Sequence, residues 1–333
     1  MIWTKRSSER YYARGIDAVA LSAALLFCAC SGPQAPYAVS PAGAAVGTHG
    51  SPAAAGAILY ATANTGKVIY AFSYPLGARI GQIAPPKTVA LEGICNDPYG
   101  DIYVTALSGA ARSNQLLGHV YEYQHGGTRP VQHWEFTGLE PFGCSYDAAT
   151  ANLAVATASL GIQAGALFVV NTNTQRENVY YSYTIGNFYY CGYDAKSNLF
   201  VNGQGAGTQM YFAELRKGAT ALTDVALGHT ISVSGMGQVQ WDGHYVTVED
   251  LTASAILRLH ISGSRATVAG TTHLSSWNGP TLSWIDGSSV VIPTGTGGAT
   301  LGEWRYPRGG KPSKTVKAPT GLFSVTVSAG SVR

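Results

Sequence analysis

Charge is scarce in this chain: Asp, Glu, Lys and Arg make up 12% of its 333 residues, roughly half the usual share. Long solvent-exposed helices laced with ion pairs are thereby excluded. The 21 basic and 18 acidic residues fall to 17 and 16 once residues 1–29 are set aside, so no basic field exists to hold a nucleic acid. No apolar run is long enough to cross a bilayer as a helix, the longest being the 12 residues Ala18–Ala29. Local catalytic motifs are missing too. There is no GxSxG, and no Ser, His and acid set that chain order ties together. The glycine-rich run Gly203–Gly207 (GQGAG) lacks the following helix that phosphate binding requires. His119, His125, His133, His229, His244, His260 and His273 form no HxH or HExxH pairing, although a fold can gather ligands that are distant in sequence.

What the chain does have is glycine, 41 residues, and tyrosine, 20 residues, a composition suited to tight turns between aromatic and β-branched strands. Gly143–Val155 (GCSYDAATANLAV) recurs in variant form at Gly93–Val104, Tyr190–Val201, Gln238–Val248 and Leu282–Ile292. Each copy reads as strand, Asp-led turn, strand. Asp97, Asp147, Asp194, Asp242 and Asp286 are spaced by 50, 47, 48 and 44 residues, which predicts one small sheet per repeat and a propeller built from them. Six second strands are expected, near Ile58, Ile102, Leu153, Leu199, Tyr245 and Val290, with Ile58-Leu59-Tyr60 aligned on Ile102-Tyr103-Val104. The first of these lacks a preceding partner, and Gly321–Ser328 (GLFSVTVS) is a strand with none following. The prediction is an all-β, six-bladed β-propeller of four-stranded antiparallel blades over residues 57–330. The C-terminal strand is expected to close the ring as the innermost strand of the first blade, which removes two bare sheet edges.

The N-terminus predicts a processed segment. Lys5, Arg6, Arg10 and Arg14 precede the apolar Ala18–Ala29, the pattern of a signal peptide over residues 1–29. Phe27-Cys28-Ala29-Cys30 resembles the lipobox of bacterial lipoproteins, with Phe27 in place of the usual Leu. The resemblance implies acylation of Cys30, attachment to the bacterial membrane, and, with Ser31 next, sorting to the outer membrane. Residues 30–56 then read as a flexible Pro/Ala/Gly tether.

The run of strand, Asp, turn and I/L-Y/F-V resembles the six-bladed propellers of the NHL and TolB-like kind, across about residues 57–330. That resemblance implies that the strand ending in Asp is innermost, and it specifies fold better than function. The related gluconolactonase-like propellers hold a divalent cation on the axis through a Glu near the start of an inner strand, with Asn and Asp from other blades. Glu92 stands at such a place, whereas Phe142, Tyr189, Gln238, Thr281 and Thr320 open the other inner strands.

Two functional readings follow. The first is an envelope-anchored, non-enzymatic binding or scaffold propeller without a cofactor. It is expected to be monomeric and to present the face where inner strands start to a glycan, peptide or protein, through Glu92, Phe142, Tyr189, Tyr190, Gln238, Glu249, Asp250 and Trp277. The second is a metal-dependent, lactonase-like hydrolase with calcium or zinc on Glu92, Glu249 and Asp250. A streptogramin-lyase-like activity lacks a His pair that the sequence places. Cys144 and Cys191 each lie three residues before a turn Asp and Cys95 is out of register with both, so all three are expected to be buried thiols.

Overall fold

The computed structural model describes residues 56–330, apart from 110–115, 162 and 278. The expected signal peptide, Cys30 and all of the expected tether but Gly56 lie outside the described residues. Blade one contains β1 (Ile58–Ala63), β2 (Val68–Ser73) and β3 (Arg79–Ile83); blade two contains β4 (Thr88–Asn96), β5 (Ile102–Ser108), β6 (Leu117–Tyr123) and β7 (Gln132–Thr137). Blade three follows as β8 (Leu139–Asp147), β9 (Asn152–Ser159), β10 (Leu167–Asn171) and β11 (Glu177–Tyr180). Blade four is β12 (Asn187–Tyr193), β13 (Leu199–Gln204), β14 (Met210–Leu215) and the short β15 (Thr223–Asp224). After β16 (Ala226–Leu227) come β17 (Met236–Trp241), β18 (Val246–Asp250), β19 (Ala255–Ser262) and β20 (Arg265–His273) of blade five. Blade six is β21 (Trp284–Asp286), β22 (Ser289–Thr294), β23 (Thr300–Arg305) and β24 (Lys314–Lys317), and β25 (Leu322–Ser328) ends the chain's strands.

Six antiparallel sheets result, and β25 pairs with β1 with Leu59 opposite Val327 and Ala63 opposite Leu322. The last strand is therefore the inner strand of the first blade, as expected. Blade five carries an addition: β16 joins its outer edge parallel to β20, directly after β15 has closed blade four.

The repeated Asp is a turn device. Its Oδ1 accepts backbone N–H bonds from Tyr99 and Asp101 at Asp97, from Lys196 and Asn198 at Asp194, and from His244 and Tyr245 at Asp242, all at 2.7–2.9 Å. The carboxylate thus satisfies donors that a tight turn leaves unpaired. The repeated Gly has a different cause. A Cβ on Gly93 would collide with the carbonyl of Phe142 in the next blade, and one on Gly143 would lie 2.8 Å from the Tyr189 carbonyl. At these two positions neighbouring inner strands approach too closely for a side chain between them.

Five inner strands contain a bulge, an extra residue relative to the second strand: β25, β4, β8, β12 and β17. Opposite four of them sits a polar residue at one equivalent position, Thr62, Thr105, Asn202 and Glu249. Each accepts the N–H of its own bulge and also bonds the inner strand of the following blade. Thr105 Oγ1 accepts from Gly93 N at 2.7 Å and donates to Phe142 O at 2.7 Å; Asn202 accepts from Tyr190 N at 2.9 Å and donates to Gly237 O at 2.8 Å. Ala156 and Pro293 hold this place in blades three and six. The equivalence of Thr62 and Thr105 aligns Leu59, not Ile58, with Ile102, a one-residue correction to the sequence alignment.

The cysteine expectation is overturned for two of the three residues. Cys95 and Cys144 form a disulfide, with Cα atoms 5.7 Å apart, while Cys191 is a free, buried thiol. Strand parity explains this. Cys144 and Cys191 occupy like positions and point the same way round the ring, Cys144 packing with Tyr103 and Val120 of blade two and Cys191 with Ala154 and Ala156 of blade three. Cys95, one position out of step, points the opposite way and meets Cys144 across the blade interface.

Candidate functional site

The bulges set the chemistry of the axial face on which the inner strands begin. An extra residue rotates the side chain out of the sheet's alternation, and the residues so placed include Phe323, Glu92, Phe142 and Tyr189. Phe142 and Tyr189 are in ring contact at 4.8 Å. Together with Phe323 they pack against one cluster that also holds Tyr190, Met236 and Leu282. Most of the cluster is the interface of blades four and five, and residues of blades one, three and six reach it where the inner strands begin.

Also partly buried are two carboxyls, Glu92 on β4 and Glu140 on β8. Burial, reinforced by the charge of Glu140, pushes the Glu92 carboxyl up to about 8, and burial pushes Glu140 up to about 7. Neither is hydrogen-bonded or ion-paired among the described residues.

The other residues selected from the sequence are distributed differently. Glu249 is fully enclosed; its Oε2 accepts from Gln238 N at 2.8 Å and its Oε1 from Ser283 N at 2.7 Å, and burial pushes its carboxyl up to about 7. It joins blades five and six rather than facing a ligand. Gln238 and Tyr190 are buried. Trp277 is also buried, its Nε1–H donating to Thr281 Oγ1 at 3.1 Å within the core between blades five and six. Asp250 accepts from Ala253 N through Oδ1 and lies 3.3 Å from His229 Nε2 through Oδ2. The ligand set Glu92, Glu249 and Asp250 is therefore not assembled: two of its members are committed elsewhere, and Glu140 is the carboxyl beside Glu92.

Asp250 does line a second feature of this face. A hollow of about 410 Å³ is bounded by Thr208, Gln209, Thr230, Ser232, Thr252 and Asp250, a wall of hydroxyl, amide and carboxylate groups at the junction of blades four and five. On the opposite face a cleft of about 340 Å³ opens between the same two blades, lined by Asp194, Lys196, Glu214, Arg216, Trp241 and Tyr245 among others.

One further cluster is not marked by any contiguous metal motif in the sequence. His119, His133 and Glu135 bring their ligand-type atoms within 4.8 Å of one another, the one group of three or more such residues among the described residues. The readable signal was His133-Trp134-Glu135, two ligand types at alternate positions of a strand.

No protein-family model matches the sequence, and no curated protein does. Among solved structures, the chain resembles one from a nidogen/laminin complex at TM-score 0.61 and 13% identity, covering 83% of this chain and 100% of that one. An aldose sugar dehydrogenase from Streptomyces coelicolor, in its PQQ-bound form, superposes at TM-score 0.53 and 14% identity over 81% and 91% of the two chains. A 6-phosphogluconolactonase, so described putatively, from Bacteroides fragilis does so at 0.53 and 10% over 84% and 99%. At such identities the likeness establishes the six-bladed propeller and nothing finer. Binding proteins and enzymes alike share it.

Proposed function

We propose that this protein is a non-enzymatic binding propeller, tethered to the bacterial envelope through lipid on Cys30. It presents the face where inner strands begin to an extended polar ligand, a glycan, a peptide or a segment of a partner protein. The observation that carries this reading is the group of partly buried aromatic side chains, Phe142, Tyr189 and Phe323, brought from three blades to the face where inner strands begin. Flanking that surface, the hydroxyl-rich hollow around Asp250 supplies hydrogen-bonding groups of the kind that orient sugars and peptide backbones. The likeness to a chain from a nidogen/laminin complex adds support for a macromolecular partner.

The test is capture of the purified mature protein on oligosaccharide and peptide arrays. Tyr189→Ala and Asp250→Asn are expected to abolish capture while leaving the melting temperature within a few degrees of wild type. An array signal that both variants retain sinks the proposal. The anchor is tested separately: intact mass of the mature protein carries a lipid increment that Cys30→Ala removes.

A second reading, a lactonase-like hydrolase, is favoured by the Glu92 and Glu140 pair, since carboxyls held near neutral serve as general acid and base. Its metal-dependent form is weakened by the engagement of Glu249 and Asp250, and two carboxyls biased towards protonation are poor cation ligands. Lactone hydrolysis that survives Glu92→Gln at the wild-type rate removes this reading.

A further inference from the structure

We infer that His119, His133 and Glu135 form a binding site for a late first-row divalent cation, zinc foremost, at the outer part of blade two. The site is remote in kind from the axial face and does not depend on what binds there.

Register creates it. In the β6–β7 ladder His119 lies opposite Glu135, and Tyr121 lies opposite His133. His133 and Glu135, at alternate positions of β7, share the sheet face to which His119 also points. His119 Nδ1 is 3.3 Å from His133 Nε2, His133 Nε2 is 3.2 Å from Glu135 Oε1, and His119 Nδ1 is 3.9 Å from that oxygen. A zinc ion with bonds of about 2.0–2.2 Å requires tetrahedral neighbours roughly 3.3–3.6 Å apart, which this triangle approximates.

The surroundings orient the ligands. His119 Nε2 lies 2.6 Å from Ser108 Oγ; donation of its N–H to that hydroxyl leaves the Nδ1 lone pair facing the cluster, the outer-shell arrangement typical of metal-bound histidine. Tyr121 stacks on both rings, at 5.4 Å from His119 and 5.1 Å from His133 with interplanar angles of 18°, and its hydroxyl is fixed by donation to Pro86 O at 3.1 Å. The arrangement also has an electrostatic reason to take a cation. One N–H on His133 Nε2 can serve Glu135 or His119 but not both, so in its absence lone pairs confront one another.

Two imidazoles and one carboxylate suit zinc, nickel, copper or iron(II) rather than calcium. Lys87 opposes a cation from the His119 side, which further disfavours ions held by charge alone. With the His133 side chain 22% and the Glu135 side chain 38% exposed, a fourth position opens to solvent for water or for a donor atom of a bound partner.

The experiment is calorimetric titration of zinc into chelator-treated mature protein, with cobalt(II) as a spectroscopic substitute. One zinc per chain and visible cobalt bands of a four-coordinate site are expected. His133→Ala and Glu135→Gln should each weaken zinc binding by at least about tenfold, Ser108→Ala by about tenfold as the loss of an outer-shell partner, and His229→Ala not at all. Glu135 is exposed enough that its variant reports on binding even if His133→Ala fails to fold. No zinc uptake by the wild type, or wild-type affinity in Glu135→Gln, overturns the inference.

Discussion

Blades one, two and four solve the junction between neighbouring inner strands with neutral side chains; blade five solves the same junction with a carboxyl. Thr62, Thr105 and Asn202 each face an N–H of their own bulge and a carbonyl of the next blade, so a group that both accepts and donates is required. At Glu249 the next blade presents Ser283 N instead of a carbonyl. Two donors then need two acceptors, and only a carboxyl provides them without an opposing hydrogen. The identity of the residue at a repeated position is thus decided by the polarity of the backbone it must reach, not by the blade that carries it.

The strongest way to break the comparison is Glu249→Ala. It leaves two buried N–H groups without partners at about 1–3 kcal/mol each, so a loss of roughly 2–6 kcal/mol is expected in urea unfolding. Glu249→Gln sharpens the argument, because its amide sets a donor against a donor and should rescue little, whereas Asn202→Asp should harm blade four by the mirror-image mismatch with Gly237 O. The junction between blades two and three has a covalent bond in addition to its Thr105 contact. Cys144→Ser is expected to cost about 2–4 kcal/mol, measured against the same change at the unbridged Cys191. Thr105→Val, which removes one acceptor and one donor but keeps the volume, should cost about 1–3 kcal/mol. If Thr105→Val and Glu249→Ala proved equal, the distinction between the two kinds of junction would be empty.

The differences in what the sequence reveals have the same local or non-local origin. The Asp turns were legible because the carboxylates of Asp97, Asp147, Asp194 and Asp242 bond backbone two to four residues on, and the ring closure was legible because an unpaired strand stood at each end. The inner-strand bulges carry no signature: Gly237-Gln238 and Tyr189-Tyr190 share no residue type, yet at them Tyr189 stays partly exposed while Tyr190, Gln238 and Glu249 are buried. Trp277 looked like a surface plate because it lies outside any strand, and it is core because blade six packs over it. The disulfide was within reach of a parity argument, since Cys95 lies two residues and Cys144 three before its turn Asp. Being out of step is what lets the pair meet. His119 and Glu135 are brought together only by the β6–β7 register, set across a loop whose length the repeat does not fix.

A change of pH separates the axial carboxyls from the buried one. Glu92 has a folded value of about 8 against 4.5 for the free side chain, and Glu140 and Glu249 have values of about 7. A raised acid binds its proton more tightly in the folded state, so its contribution to stability is full below about pH 4.5 and is lost as pH rises towards the folded value. The melting temperature should therefore fall between about pH 5 and pH 8. Glu92→Gln stays neutral throughout and should flatten the upper part of that slope, above pH 7, while leaving the part due to Glu249 intact. A slope unchanged by Glu92→Gln would mean that the axial carboxyl is solvated like an ordinary surface residue, and that the side chains around it do not exclude water.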